Sequence, residues 1–196
     1  MSDAEAKSAV RFGRTMFEVV IGGLVEQSVE ALIHSANSRG GMGAGPAGSV
    51  RAAAGPEVER EAMAQAPIDV GAAVLTGPGR LAERGVVVIA HAALVSTLGE
   101  SAPAAAVVRA VESSLRLIDE RRLRSVALPL LGLSSEAPPA ERSARAEALV
   151  DVAVAHIRRP GSRLDRVVFV SRFEDDAPLL TEAIAMARQR SWTSPA

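Results

Sequence analysis

The chain has 196 residues, 48% of them hydrophobic, and a formal net charge of −1 at pH 7. This length and apolar content favour one domain with a substantial core, and the interspersed charges indicate neither a nucleic-acid-binding nor a membrane-binding surface. The sequence contains no cysteine, which excludes disulfides, thiolate nucleophiles and cysteine-based metal sites.

The start of the chain is polar and charged and is not typical of a signal peptide. We predict that residues 1–14 form a flexible N-terminal arm. The longest apolar run, VVVIAHAALV at 86–95, is about half the length that a membrane span requires, so we expect a cytoplasmic protein. His34, His91 and His156 are far apart in the sequence, and we predict neither a metal nor a cofactor.

Short apolar runs bounded by glycine, proline or polar residues predict the strands of a sheet. They lie at 15–22, 29–36, 72–76, 85–94, 125–133 and 165–170. Helices are predicted between and after them, at 55–66, 102–122, 140–159 and 175–190. The helix over 102–122 places its apolar residues on one face, namely Val107, Val111, Leu115 and Ile118. Strands that alternate with helices predict an α/β fold with a largely parallel sheet, in a domain over 15–190 followed by a C-terminal tail at 191–196.

The segment SANSRGGMGAGPAGSV, residues 35–50, is rich in glycine. A glycine loop between a strand and a helix suits phosphate binding, because its N–H groups converge and the missing side chains let an anion approach. A flexible surface loop is the alternative. No Gly-Lys-Ser/Thr follows, which excludes a Walker loop. GAGPAG at 43–48 matches the dinucleotide-binding fingerprint weakly, because Pro46 removes one of the amides that such a turn uses.

Several short motifs follow one another in a specific order along the chain. GGLV at 22–25 and VEALIHSAN at 29–37 precede the glycine loop, and AAAGP at 52–56 follows it. Further on come VVVIAHA, SVALPLLGLSSEAPP and RVVFVSRFEDD. In order and spacing these segments resemble the strands and the two ligand loops of a macrodomain, the family that binds ADP-ribose. The resemblance covers about residues 15–190, nearly the whole chain.

The resemblance implies a three-layer α/β/α sandwich with a mixed, largely parallel central sheet. It also implies that ADP-ribose or a related nucleotide diphosphate binds in a cleft between the loops at 37–49 and 131–139. The expected partner is ADP-ribose or an ADP-ribosylated protein. Two alternatives stay open: an ADP-ribosyl hydrolase with altered catalytic residues, and a degenerate macrodomain that serves as a protein-interaction module.

Matched residue by residue, the macrodomain motifs imply which groups contact the ligand. Asn37 is expected to hydrogen-bond a ribose hydroxyl, with an Asx turn as the alternative. Phe173 is expected to stack on adenine, or else to close the core. The predicted ligand-binding residues are Gly23, Leu24, Ala36, Asn37, Gly41, Met42, Gly43, Ala44, Gly45, Pro46, Leu131, Gly132, Leu133, Ser134, Ser135 and Phe173.

Three departures from the family pattern bear on specificity and catalysis. Gly23 stands where the family usually has an acidic residue that receives the adenine amino group, so we expect weak adenine selectivity. His34 replaces the first Asn of the family's Asn-Ala-Ala-Asn motif, and Ala47 replaces the Asp of many hydrolysing members. We therefore expect little hydrolysis. The candidate catalytic residues, if there is any, are Glu136 in the second loop and His91 at the end of a central strand.

Overall fold

The computed structural model describes residues 6–43, 45–97, 102–134 and 136–193. In these ranges seven strands form one sheet, and five α-helices cover it. The strands are β1 (Ala6–Phe12), β2 (Thr15–Ile21), β3 (Ala31–Asn37), β4 (Ala73–Thr76), β5 (Val88–Val95), β6 (Ser125–Pro129) and β7 (Arg166–Ser171). The helices are α1 (Gly45–Ala54), α2 (Pro56–Ala64), α3 (Ala104–Glu120), α4 (Pro139–Ile157) and α5 (Asp176–Thr193), with short 3-10 helices at Leu24–Glu26 and Gly79–Arg84.

The strand order across the sheet is β1-β2-β7-β6-β3-β5-β4. The five central strands are parallel, whereas β1 pairs antiparallel with β2 at one edge and β4 pairs antiparallel with β5 at the other. The predicted mixed, largely parallel sheet is thus confirmed. Because the carboxyl ends of parallel strands meet at one edge of a sheet, the segments that follow β2, β3, β6 and β7 come together there.

Helices cover both faces of the sheet. Helices α3, α4 and α5 pack on one face, and α1 and α2 pack on the other. In β3, Ile33 packs in the core beneath α3, α4 and α5, and Leu32 packs in the core beneath α1 and α2. Both side chains are fully buried. Coverage on both faces explains why consecutive strand positions are apolar. The predicted apolar face of α3 is buried, which agrees with the expected three-layer α/β/α sandwich.

The N-terminal segment differs from its prediction. Residues 1–14 were expected to form a flexible arm, but Ala6–Phe12 is the edge strand β1. A two-residue connection leads into β2, and the buried ring of Phe12 lies 4.7 Å, centroid to centroid, from that of Phe17. This aromatic contact anchors the strand. Its alternating exposed residues, Ala9 and Arg11 among them, weaken the apolar signal that would have predicted a strand.

The second half of the predicted glycine loop is helical. The loop was expected over 37–49, with a helix from about residue 55, but α1 begins at Gly45. Pro46 lies in the first turn of α1, where a missing N–H breaks no helical hydrogen bond. Helix α5 likewise continues to Thr193, into the predicted tail, and residues 194–196 lie outside the described ranges.

The end of α1 packs closely against the 3-10 helix Gly79–Arg84. Gly79 has a φ of +55°, and an ideal Cβ there would lie 2.1 Å from the carbonyl oxygen of Ala54. The Arg80 guanidinium donates from Nη2 to the carbonyl of Ala52 at 2.7 Å, which satisfies one of the free carbonyls at the helix end. Backbone contact and this side chain together fix the position of α1.

Candidate functional site

A cleft of about 620 Å³ opens at the edge of the sheet where the parallel strands end. This volume lies within the range of small-molecule sites. The cleft is lined by residues 22–26 after β2, residues 129–134 after β6, residues 172 and 173 after β7, and Pro46, Ser49 and Val50 of α1. The N-terminal half of α1 therefore borders the cleft, and the partial positive charge of a helix N-terminus favours an anionic ligand.

Glu26 places a carboxylate on the wall formed by residues 22–26. Its Oε2 accepts a hydrogen bond from the N–H of Gly23 at 3.0 Å. An ideal Cβ on Gly23 would lie 3.0 Å from both Cδ and Oε1 of Glu26. The Glu26 carboxylate thus lies against the space that a side chain at residue 23 would enter. Glu26 was not assigned to the site from the sequence, because its approach to Gly23 depends on the 3-10 turn at Leu24–Glu26.

The wall after β6 is supported by Arg145 of α4. Leu131 is buried and Gly132 is partly exposed, and both line the cleft. The Arg145 guanidinium donates from Nη1 to the carbonyl of Leu131 at 3.1 Å and from Nη2 to that of Ala102 at 3.4 Å. Gly132 has a φ of +72°, and an ideal Cβ on it would lie 2.7 Å from Nη1 of Arg145. The guanidinium therefore lies directly against the backbone of this wall.

An ion pair and an aromatic ring complete the lining of the cleft. Arg142, near the start of α4, donates from Nε and Nη2 to Oδ1 of Asp176 at 2.8 and 2.6 Å. Arg172 and Phe173 follow β7, and both are exposed. Phe173 is 55% exposed, so it does not close the core, which was the alternative to stacking. An exposed ring on a cleft wall is available to stack on a flat ligand group.

The predicted ligand-binding residues divide into those that line the cleft and those that do not. Lining residues are Gly23, Leu24, Pro46, Leu131, Gly132, Leu133, Ser134 and Phe173. The predicted residues that do not line the cleft are Ala36, Asn37, Gly41, Met42, Gly43 and Gly45. Ala44 and Ser135 lie outside the described residues.

Asn37 and Met42 shape the glycine loop from within. Oδ1 of Asn37 accepts the N–H of Arg39 at 2.9 Å, which is an Asx turn, and Nδ2 donates to the carbonyl of Gly41 at 3.0 Å. Met42 is 1% exposed and packs in the core beneath α1, while its N–H donates to Oε1 of Glu59 at 2.6 Å. The Asx turn that was the alternative for Asn37 is thus present, and the Met42 side chain packs in the core. Contact of either residue with the ligand stays a prediction.

His91 lies inside the sheet rather than at its edge. Strand β5 continues to Val95, so His91 is in mid-strand, and it is fully buried. Its Nδ1 is 2.8 Å from Nε2 of His34, and its Nε2 is 2.8 Å from Oγ1 of Thr76. Glu136 is exposed and is not part of the cleft lining. The expected position of His91 at the end of a strand is thus wrong, and neither His91 nor Glu136 lines the cleft.

Burial lowers the pKa of both imidazoles in the sheet. The pKa of His34 falls to about 4, and that of His91 falls well below 6.5, with the charge of His34 as a further cause. Both rings are therefore neutral at pH 7. A consistent assignment has His34 donating to His91, His91 donating to Thr76, and the Thr76 hydroxyl donating to the carbonyl of Gly77. Nδ1 of His34 is then a buried acceptor with no hydrogen-bond partner among the described residues.

Several lining residues were not assigned to the site from the sequence. They are Gly22, Val25, Glu26, Ser35, Ser49, Val50, Pro129, Leu130, Arg142, Val170, Arg172 and Asp176. Arg142 and Asp176 belong to different helices, and no spacing rule joins two residues 34 positions apart. Ser49 could have been found from the helix, since it lies one turn after the glycine that begins α1.

Metal and membrane sites are not seen within the described ranges. No group of three or more His, Asp or Glu side chains there is arranged to hold a metal ion. No helix in the same ranges is long and apolar enough to cross a bilayer.

Comparison with known proteins agrees with this geometry. The family model described as Macro domain matches residues 33–146. An uncharacterized protein of Aquifex aeolicus is 37% identical over 129 residues, which cover 66% of this chain and 76% of that protein. Another, from Aeropyrum pernix, is 38% identical over 120 residues, which cover 61% of this chain and 62% of that protein. A solved structure of a mutant macrodomain of Oceanobacillus iheyensis with ADP-ribose has a TM-score of 0.78 at 16% identity, over 93% of this chain and 98% of that one.

Proposed function

This chain belongs to the macro domain family, and on that basis we propose that it binds ADP-ribose or a related nucleotide diphosphate in the cleft. The observation that carries the proposal is the cleft itself, whose volume of about 620 Å³ is bounded by the segments that follow β2, β6 and β7 and by α1. The Oceanobacillus macrodomain, which shares the fold, was solved with ADP-ribose. ADP-ribose or an ADP-ribosylated protein is accordingly the proposed partner. The proposed location is the cytoplasm.

The walls of the cleft suit different parts of such a ligand. The phosphates lie best beside Gly132 and Ser134 and near the first turn of α1, where N–H and hydroxyl groups can donate to them. The base lies best beside Phe173, whose exposed ring can stack on it. The Glu26 carboxylate is then the group that can accept the exocyclic amine of adenine. We propose binding rather than hydrolysis, because His91 is buried in mid-strand and Glu136 does not line the cleft.

Filling the cleft from α1 is expected to abolish binding while leaving the fold intact. Ser49 is exposed and lines the cleft, so the indole of Ser49→Trp would enter the ligand space rather than the core. We expect the affinity for ADP-ribose to fall at least about a hundredfold, or roughly 3 kcal/mol. Isothermal titration calorimetry against ADP-ribose, ADP and AMP measures this effect, and wild type should bind ADP-ribose more tightly than AMP.

Arg116→Trp is the matched control, since Arg116 is exposed on α3 and is not part of the cleft lining. It should bind ADP-ribose as wild type does, and both variants should keep the wild-type circular dichroism spectrum. If wild type binds none of the three nucleotides, the proposal is wrong and the interaction-module alternative gains support. If Ser49→Trp binds normally, the ligand lies elsewhere.

Glu26 gives a second prediction, which replaces the weak adenine selectivity expected from Gly23. Wild type should prefer ADP to IDP by about tenfold or more, because a carboxylate accepts from the adenine amine and repels the hypoxanthine oxygen. Glu26→Gln should bring the two affinities within about threefold, since an amide can donate as well as accept. Glu83→Gln, an exposed substitution in the 3-10 helix Gly79–Arg84, should keep the wild-type ratio. An unchanged ratio in Glu26→Gln would show that Glu26 does not contact the base.

A further inference from the structure

Arg145 is a buried cation whose ion pair, among the described residues, is a long one to an exposed carboxylate. Its side chain is 4% exposed, and the acidic group paired with it among the described residues, Glu141, lies 3.9 Å from Nη2 and is 46% exposed. Burial lowers the pKa of this guanidinium, and Glu141 offsets the effect only in part. Arginine nevertheless stays charged at neutral pH. A largely uncompensated positive charge therefore lies inside the protein, an arrangement that is unfavourable unless an anion or hydrogen bonds stabilise it.

The guanidinium joins two loops at the cleft edge of the sheet. Its bonds reach the carbonyls of Leu131, which follows β6, and of Ala102, which lies between β5 and α3. A planar guanidinium can hold both acceptors at once because its N–H groups form a fixed fork. The backbones of the two connections are thus held by one side chain.

The same contact sets the direction of a peptide that lines the cleft. In a trans peptide the C=O and N–H groups point in opposite directions. Because the carbonyl of Leu131 points to Arg145, the N–H of Gly132 in that peptide points away from Arg145, and Gly132 lines the cleft. An ideal Cβ on Gly132 would lie 2.7 Å from Nη1 of Arg145 and 2.7 Å from Cγ2 of Val107. The peptide is therefore clamped, with no space for a side chain.

We propose that Arg145 is a positioning residue for the diphosphate of the bound nucleotide, an inference that rests on the proposed function. It turns the N–H of Gly132 toward the phosphates and places a positive charge directly behind that peptide. Because the charge is buried, water screens it weakly, and its field reaches the cleft. The phosphates in turn add negative charge near a guanidinium whose ion pair with the exposed Glu141 is long. Arg145 acts through the loop and not by touching the ligand.

The test compares wild type, Arg145→Met and Arg145→Lys in calorimetric titrations with ADP and with adenosine, which has no phosphate. Arg145→Met should weaken ADP binding by about tenfold or more and change adenosine binding by less than about twofold, because the lost interaction is with a charged group. The ADP affinity of Arg145→Lys should lie between those of wild type and Arg145→Met, since lysine keeps the charge but cannot bond both carbonyls through a planar guanidinium. Arg116→Met, which removes an exposed arginine of α3, should leave both affinities unchanged.

Two results would overturn the inference. One is an unchanged ADP affinity in folded Arg145→Met, and the other is a parallel loss of ADP and adenosine binding, which indicates general damage to the cleft. If Arg145→Met does not fold, NMR of the wild-type protein decides: the Arg145 side-chain N–H resonances should shift with ADP and not with adenosine, and equal shifts refute the role. A wild-type protein that binds neither ADP nor ADP-ribose would instead overturn the proposed function itself.

Discussion

Gly79→Ala is expected to lower the free energy of unfolding by at least about 3 kcal/mol. The new methyl group would lie 2.1 Å from the carbonyl oxygen of Ala54, so α1 or the 3-10 helix must move. Overpacking of this kind costs about 1–3 kcal/mol or more, and the left-handed φ of +55° at Gly79 adds about 1–2 kcal/mol for alanine. No rotamer change relieves the contact because the opposing atom is backbone. Urea unfolding followed by circular dichroism measures the loss.

Gly85→Ala is the matched control for this prediction. Gly85 also has a left-handed conformation, with a φ of +86°, but nothing lies within 4 Å of an ideal Cβ there. Its substitution should cost only the conformational term, about 1–2 kcal/mol. Equal losses in the two variants would show that the packing of α1 against the 3-10 helix contributes little. Because α1 borders the cleft, Gly79→Ala should also weaken ADP-ribose binding.

Acidification is expected to destabilise the protein through the buried histidines of β3 and β5. In the unfolded chain an imidazole takes up its proton near pH 6.5, whereas in the folded protein the pKa of His34 is about 4. Between these values the unfolded state binds more protons, so stability is complete above about pH 6.5 and falls as the pH drops toward 4. His34 accounts for about 3 kcal/mol of this loss. His91 acts in the same direction, since its pKa is also lowered by burial.

Urea unfolding at several pH values between 7 and 4 measures this dependence. His34→Leu should show a shallower loss of stability over the same range, because one imidazole no longer titrates. It should also be less stable than wild type at pH 7 by about 1–3 kcal/mol, since Nδ1 of His91 loses its hydrogen-bond partner. A free energy of unfolding that stays constant from pH 6.5 to 4 in wild type would contradict the buried, neutral state of these rings.

The sequence predicted the features that depend on periodic burial. Val107 and Val111 mark the buried face of α3 because their spacing matches a helical turn, and the apolar run at 86–95 gave a central strand because both of its faces are covered. The same run should have placed His91 in the interior. Its assignment to the cleft edge followed from the family resemblance and not from the surrounding residues.

The parts that the sequence did not predict depend on contacts between distant segments or on local turns and helix starts with weak sequence signals. Arg145 and Arg142 are two of many arginines, and only the folded chain shows that one supports a loop and the other pairs with Asp176. Glu26 lies beside Gly23 because a 3-10 turn brings its side chain back over the backbone. The start of α1 was not predicted, because glycine and proline, which have poor helix propensity, occupy its first turn.

The two hydrogen bonds of Arg145 also limit how the lengths of the connected loops can change during evolution. Because the carbonyls of Ala102 and Leu131 bond to one guanidinium, a change of length that moves either carbonyl breaks a bond that also positions the other connection. Insertions are tolerated better at the opposite edge of the sheet, such as the exposed turn at Gly161 between α4 and β7, where nothing lies within 4 Å of an ideal Cβ.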